Sequence, residues 1–414
     1  MRVTIRIVAS AGVFALVSLG AASLSSAQTA APAEGPAANG SPAWFTLMPA
    51  PRGGQGAPGR AAAGRGTAGR GAGAPSPFAC SHSPICSPRA SSARENRPFG
   101  RIQWKQEMGY AINYPFELPQ SSANGGGGIS GVAVDSKGNL WAFQRNPEGR
   151  PQLFEFDSAH RLIRTVGENI IGHQAKAHGI AVDSQDNVWI CDEGGATVME
   201  VSPDGRLIRT IGVRNKRGDW DESKGQRLLW EPLAVAFAAN GDVYISQGHA
   251  NESPNDADSD DPANTIGAAR VLHLDRDGRF LNQWYGDSTG PGKFTMAHAL
   301  AVDPRNGDVW VGDREQYRIV VFTAGGQFLR TIQMRNLPCA LAFDPAGNLW
   351  MASGTDGQVL KIDRDGKVLG AIGNGPGPGL GQFQESNYLT WDRQGNIYTG
   401  DTTVARITAM MAPR

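Results

Sequence analysis

The stretch Ile180-Ala-Val-Asp-Ser-Gln-Asp-Asn-Val-Trp189 reads as one β-hairpin: Ile180 and Val182 alternate, Asp and Asn make the turn, and Val188-Trp189 resume the strand. The phrase occurs six times, with copies beginning at Val132, Ile180, Val235, Leu300, Leu341 and Leu389. Past the second copy the chain runs from Thr197 to Val201, turns at Ser202-Pro-Asp-Gly205 and resumes to Ile211, which completes four strands. β-like units repeated every 40 to 65 residues or so mark a propeller. The expected fold class is therefore all-β, a six-bladed β-propeller over residues 99–414, with phrases beginning near 129, 177, 232, 297, 338 and 386. A single four-stranded sheet is too small to stand alone, so each blade must cover its faces against its neighbours.

The first hundred residues are of another kind. Arg2 and Arg6 precede an apolar stretch at 7–19, and Ser25-Ser-Ala27 supplies a small-residue cleavage pattern, so residues 1–27 read as a signal peptide. The stretch is shorter than the roughly 20 residues that span a bilayer, and no Cys follows closely enough for a lipid anchor. The mature chain is thus expected to be exported, periplasmic or extracellular, with no membrane span after cleavage. Residues 28–98 are rich in Ala, Gly, Pro and Arg and have no apolar period, which reads as a disordered tether. Ten Arg against two acids lie before Ile102, so the neutral total hides a propeller that is acidic by about eight charges. That sign argues against nucleic acid as a partner. Cys80 and Cys86 can close a small loop in an oxidising compartment, whereas Cys191 and Cys339 read as small buried hydrophobes, and no CxxC or CxxCH pattern is present.

Taking the Asp after the first strand as origin (Asp135, Asp183, Ala238, Asp303, Asp344, Asp392), the residues five positions earlier are Ser130, His178, Leu233, His298, Cys339 and Asn387. Equivalent positions of a closed propeller form a ring around the channel. His178, His298 and Asn387 come from alternate blades, a third of a turn apart, as three donors to one ion must be. A second ring, three residues past the phrase-ending aromatic, holds Gln144, Asp192, Gln247, Asp313, Ser353 and Asp401. These carboxylates pin turns through local hydrogen bonds or, on a sharper reading, orient the ring ligands. Trp141, Trp189, Trp310 and Trp350 read as blade packing, and His160, His173 and His273, which have no ring register, as structural.

The phrases resemble NHL repeats, and the order of blades resembles the lyase domain of peptidylglycine α-amidating enzymes and their bacterial relatives. The likeness runs from about Gly128 to the C-terminus. It is carried by the segments at 129–145, 177–192, 292–303 and 311–322. It implies a zinc-dependent lyase that splits a peptidyl-α-hydroxyglycine into an amide and glyoxylate, with His178 and His298 as zinc ligands and Arg145 facing the substrate. The family's third His falls on Asn387, its catalytic Tyr at about His249, and the carboxylate of its structural calcium on Tyr388. A carboxamide oxygen is a poorer zinc ligand than imidazole, and His249 either supplies the missing nitrogen or serves as general base near neutral pH.

The insertion after His249 carries Asp256, Asp258, Asp260 and Asp261 without the EF-hand Gly or distal Glu, and reads as a solvated loop that can lie over the channel mouth. The sixth copy is short of strands, so an N-terminal strand must complete it; 101–108 and 110–118 are the candidates, and 102–105 is preferred. Two function classes stand: a metal-dependent, lyase-like enzyme acting as a monomer on a small-molecule or peptide substrate, and a non-catalytic propeller binding a peptide, glycan or envelope protein. A lactonase-like propeller fits less well, because the ring lacks its carboxylate-rich metal set.

Overall fold

The computed structural model describes residues 45–48, 101–105, 107–119, 127–146, 152–166, 171, 176–248, 269–285, 294 and 296–414, all within the compact unit Ala43–Arg414. The signal-peptide reading, Cys80 and Cys86, His173, His249 and the acidic insertion lie outside these residues.

Six four-stranded antiparallel sheets follow one another in sequence, and five are built from consecutive strands. Blade 1 opens with Ile129–Val134, blade 2 with Ala177–Val182, blade 3 with Pro232–Phe237, blade 4 with Ala297–Val302, blade 5 with Ala340–Phe343 and blade 6 with Ser386–Trp391. These inner strands contact one another in cyclic order, blade 6 touching blade 1, so the ring is closed. Among the described residues no α-helix occurs, and none is long and apolar enough to cross a membrane.

The repeated Asp has a mechanical role. Asp183 Oδ1 accepts the backbone N–H groups of Gln185 (2.8 Å) and Asn187 (3.0 Å), closing the turn, while Oδ2 accepts Trp189 Nε1 at 2.9 Å. Asp344 holds Trp350 in the same way, and Asp392 the hydroxyl of Tyr398. The phrase-ending aromatics enter the interfaces: Trp141 packs between blades 1 and 2, Trp189 between 2 and 3, Trp310 between 4 and 5, and Trp350 between 5 and 6. The core is thus six large inter-blade clusters and a small one of Tyr317, Leu337 and Cys339, as expected where blades are stable only against their neighbours.

Closure is by an N-terminal strand, but not by 102–105. Ala111–Asn113 pairs with Arg406–Met411, with Met410 opposite Ile112. Arg101–Trp104 instead lies against blade 5, where Gln358 brackets Trp104 by accepting its N–H (2.8 Å) and donating to its carbonyl (2.7 Å), and Trp104 Nε1 donates to Asn336 at 3.0 Å. The local alternation of Ile102 and Trp104 is that of a strand, but its partners are side chains some 254 residues away, which no local pattern displays. Within the segment read as a tether, Phe45–Met48 pairs with Arg101–Trp104.

Candidate functional site

The ring positions fall on β-bulges. Ser130, His178, Leu233 and His298 each sit where the inner strand slips register against its partner, and a bulge re-aims the extra side chain. All four are buried. Blade 6 differs by one residue: Asn387 pairs with Gly400, and the unpaired residue is Tyr388, with φ +49°.

The structure brings His178 and His298 together, ring centroids 4.9 Å apart and nearly perpendicular. Each is anchored on the ring residue of the next blade. His178 Nδ1 lies 2.9 Å from the carbonyl of Leu233, and His298 Nδ1 lies 2.8 Å from that of Cys339. Gly179 permits the first contact, since a Cβ there would stand 2.3 Å from Leu233 O. Gly179→Ala is expected to lower stability by about 1–3 kcal/mol through forced separation of blades 2 and 3. Urea denaturation checks this, and an unchanged midpoint would mean that the blades yield freely.

Around the pair lie groups that offsets from the origin did not single out. Arg314, fully buried, donates from Nη1 to His298 Nε2 at 2.8 Å and stands 3.7 Å from Glu385 Oε1, whose other oxygen accepts Thr402 Oγ1 at 3.0 Å. A guanidinium can only donate, so His298 is neutral, with its proton on Nδ1 and its lone pair on Nε2. Arg145 is half-buried, and its Nε donates to Ala177 O, the residue before His178, at 3.0 Å. Glu193 is buried and paired with Lys176 at 2.8 Å. Arg145, Glu193 and Arg314 each follow a residue of the second ring, so a third ring was legible one position further along.

Tyr388 lies against His178, centroids 5.7 Å apart, with its hydroxyl 2.7 Å from Nδ1 and also bonded to Leu233 O. Burial, then Cys191 and Glu193, push its phenol well above the usual value, opposed by Arg145 and Arg314, so it is a hydrogen-bond donor and not a base.

The second-ring carboxylates take the pinning role. Asp192 accepts the N–H of Lys176 (2.8 Å), Asp313 that of Met296 (3.0 Å) and Asp401 that of Gln384 (2.8 Å), each two or three residues before a ring position. His160 and His273 are structural: one lies against Phe116, the other stacks on Tyr244 and bonds Asp242. Cys191 and Cys339 are buried and form no disulfide among the described residues.

Among the described residues no group of three or more His, Cys, Asp or Glu side chains is placed to hold a metal ion. The donor set suits a transition metal only once Arg314 leaves His298 Nε2. Two imidazoles have Nδ1 fixed on carbonyls, the usual support of a ligating His, and buried Asn387 Oδ1 has no hydrogen-bond partner among the described residues. Calcium fits poorly, because Tyr388 offers an aromatic ring and one engaged hydroxyl where a hard cation needs several oxygens.

Blade order, repeated phrase and ring define an NHL-type six-bladed propeller, and the NHL repeat profile matches residues 294–322. The chain is similar to the peptidyl-glycine α-amidating monooxygenase of Mus musculus, 27% identical over 235 residues, which are 50% of this chain and 22% of that protein. A probable peptidyl-α-hydroxyglycine α-amidating lyase of Caenorhabditis elegans is 22% identical over 269 residues, 60% of this chain and 67% of that protein. The chain thus spans about a fifth of the length of the mouse relative. A solved gluconolactonase of Xanthomonas campestris has a TM-score of 0.51 at 16% identity, covering 74% of this chain and 92% of that chain, a likeness of fold.

Proposed function

We propose that the channel is the site of a metal-dependent, lyase-like enzyme of the exported compartment, acting on a small or peptide-derived carbinolamide that bears a carboxylate. The observation that carries this reading is the His178–His298 pair, drawn from alternate blades, with Nδ1 of each on a neighbouring carbonyl and buried Arg314 beside it. His178, His298 and Asn387 would hold zinc, which when bound supplies Lewis-acid polarisation of a substrate oxygen. Arg145 and Arg314 take the substrate carboxylate; Arg314 leaves His298 Nε2 to do so, with Glu385 as its counter-charge. His249 is the proposed base: it removes the carbinol O–H proton, the C–O bond becomes C=O, the C–N bond breaks, and the amide nitrogen is protonated. The products are an amide and a 2-oxo acid.

Purified protein is expected to carry about one equivalent of transition metal, and His178→Ala and His298→Ala to lose it, with amide release from a peptidyl-α-hydroxyglycine falling about 100-fold or more. Elemental analysis and product assay check this. The second reading, a metal-free propeller holding a carboxylate-bearing peptide in the same channel, is favoured by Asn in the third donor position and by Arg314 on His298 Nε2. Wild type devoid of metal that still binds such a peptide would decide for it.

A further inference from the structure

We infer that Tyr388 is the positioning residue of the His178 imidazole and closes the channel at that level without a cation. The inference rests on the proposed reading of His178 as a metal donor. Its structural basis is the bulge that blade 6 places one residue later than blades 1 to 4 do. Tyr388 leaves blade 6 and bonds Leu233 O on blade 3, the opposite blade of the ring, and His178 on blade 2. On blade 1, Gly131 leaves room for it, since a Cβ there would stand 3.2 Å from Tyr388 Cδ2. One side chain therefore ties three blades, 6, 3 and 2, across the axis. The left-handed backbone at φ +49° is costly for an aromatic residue and persists only where the surroundings over-determine it.

Counting protons gives the consequence for His178. Leu233 O can only accept, and the phenol has one proton. If the phenol donates to Leu233 O, His178 Nδ1–H is shared between the phenol oxygen at 2.7 Å and Leu233 O at 2.9 Å, and all three groups are satisfied. If the phenol donated to Nδ1 instead, the buried carbonyl would be left without this donor, a loss of about 1–3 kcal/mol. His178 is thus held with its proton on Nδ1 and its lone pair on Nε2, the nitrogen facing away from Leu233. His298 reaches the same tautomer by other means, through Cys339 O and Arg314.

The test uses the full chain, wild type and Tyr388→Phe, which keeps the ring. Zinc titration of metal-free protein by calorimetry is expected to show about ten-fold weaker binding in the variant, as for loss of a ligand's supporting hydrogen bond. Equal affinities would overturn the positioning role. The ring-nitrogen NMR signals of metal-free wild type, assigned to His178 by their loss in His178→Ala, are expected to report protonation on Nδ1, with the Nδ1–H signal shifting in Tyr388→Phe as the bond to the phenol oxygen is lost and that to Leu233 O remains. A wild-type proton on Nε2 would overturn the inference whether or not the variant folds. If wild type takes up no zinc, the lyase reading fails and the NMR signal still decides on Tyr388. Calcium is expected to leave the melting temperature of wild type unchanged, and a saturable rise with calcium would overturn closure without a cation.

Discussion

A chain beginning at Phe116 is expected to show no cooperative thermal transition, whereas a chain beginning just after Arg94 melts with the full-length protein. The first lacks Ala111–Asn113, which leaves blade 6 with three strands and opens the edge of Arg406–Met411. It also lacks Tyr110 and Ile112, which pack into the interface of blades 5 and 6, Tyr110 edge-on to Trp350 at 6.2 Å. Removing two such side chains costs about 2–5 kcal/mol each, comparable with the 5–15 kcal/mol of a whole domain. The loss falls at the one seam where chain start meets chain end, so no other element compensates it. A chain beginning at Gly109 keeps the closing strand but loses Trp104 with its Gln358 and Asn336 bonds, and is expected to melt at an intermediate temperature, destabilised by about 3–5 kcal/mol. Circular dichroism melts of the three chains check the order. Equal melting for chains beginning at Gly109 and Phe116 would place the closure elsewhere.

The fold was legible because most phrases have a local mechanical meaning: in copies such as the second, the Asp closes its own turn and pins its own aromatic, so the hairpin announces itself within ten residues. His178 and His298 were legible for the same reason, since a constant offset along one strand is a constant height in the channel. Tyr388 was not. Its place follows from a bulge displaced by one residue, and that displacement lies in a backbone torsion and not in residue spacing. Asn387 was aligned correctly by count, yet the structure pairs it with Gly400 and gives the bulge to its neighbour. Arg314 was within reach, because it follows Asp313 as Arg145 follows Gln144 and blade 4 already carried a ring His. The closing strand was misplaced because Trp104 and Ile112 both sit in short alternating stretches. What separates them is the partner, Gln358 for one and Met410 for the other, and both partners are distant in sequence.

Asp192→Asn is expected to stabilise the protein at pH 8 relative to pH 4, by a difference of roughly 3 kcal/mol. The three second-ring carboxylates occupy equivalent places but differ in compensation. Across the ladder from Asp313 stands Arg318 (2.8 Å), and across from Asp401 stands Arg406 (3.1 Å), each binding the carboxylate. Across from Asp192 stands Thr197. Asp192 Oδ1 accepts from Lys176 N and Gly195 N, but Oδ2 is buried with no hydrogen-bond partner among the described residues. Burial foremost pushes its pKa up to about 6, against the two backbone donors and Arg214, with Glu193 adding to the rise. A carboxyl whose pKa is higher folded than unfolded contributes stability that is complete below its unfolded value near 4 and is lost as pH rises through about 6. Asn keeps an oxygen for the two N–H groups and has no charge to bury, so the variant lacks this loss. Its amide N–H₂ in the place of Oδ2 adds a cost of about 1–3 kcal/mol, but one that is the same at every pH. The pH difference therefore isolates the buried charge, and urea denaturation of both proteins at pH 4 and pH 8 reads it. Parallel pH profiles for the two proteins would show that the carboxylate is compensated in solution. Asp313→Asn is expected to lose stability instead, because there the charge has Arg318 to answer it.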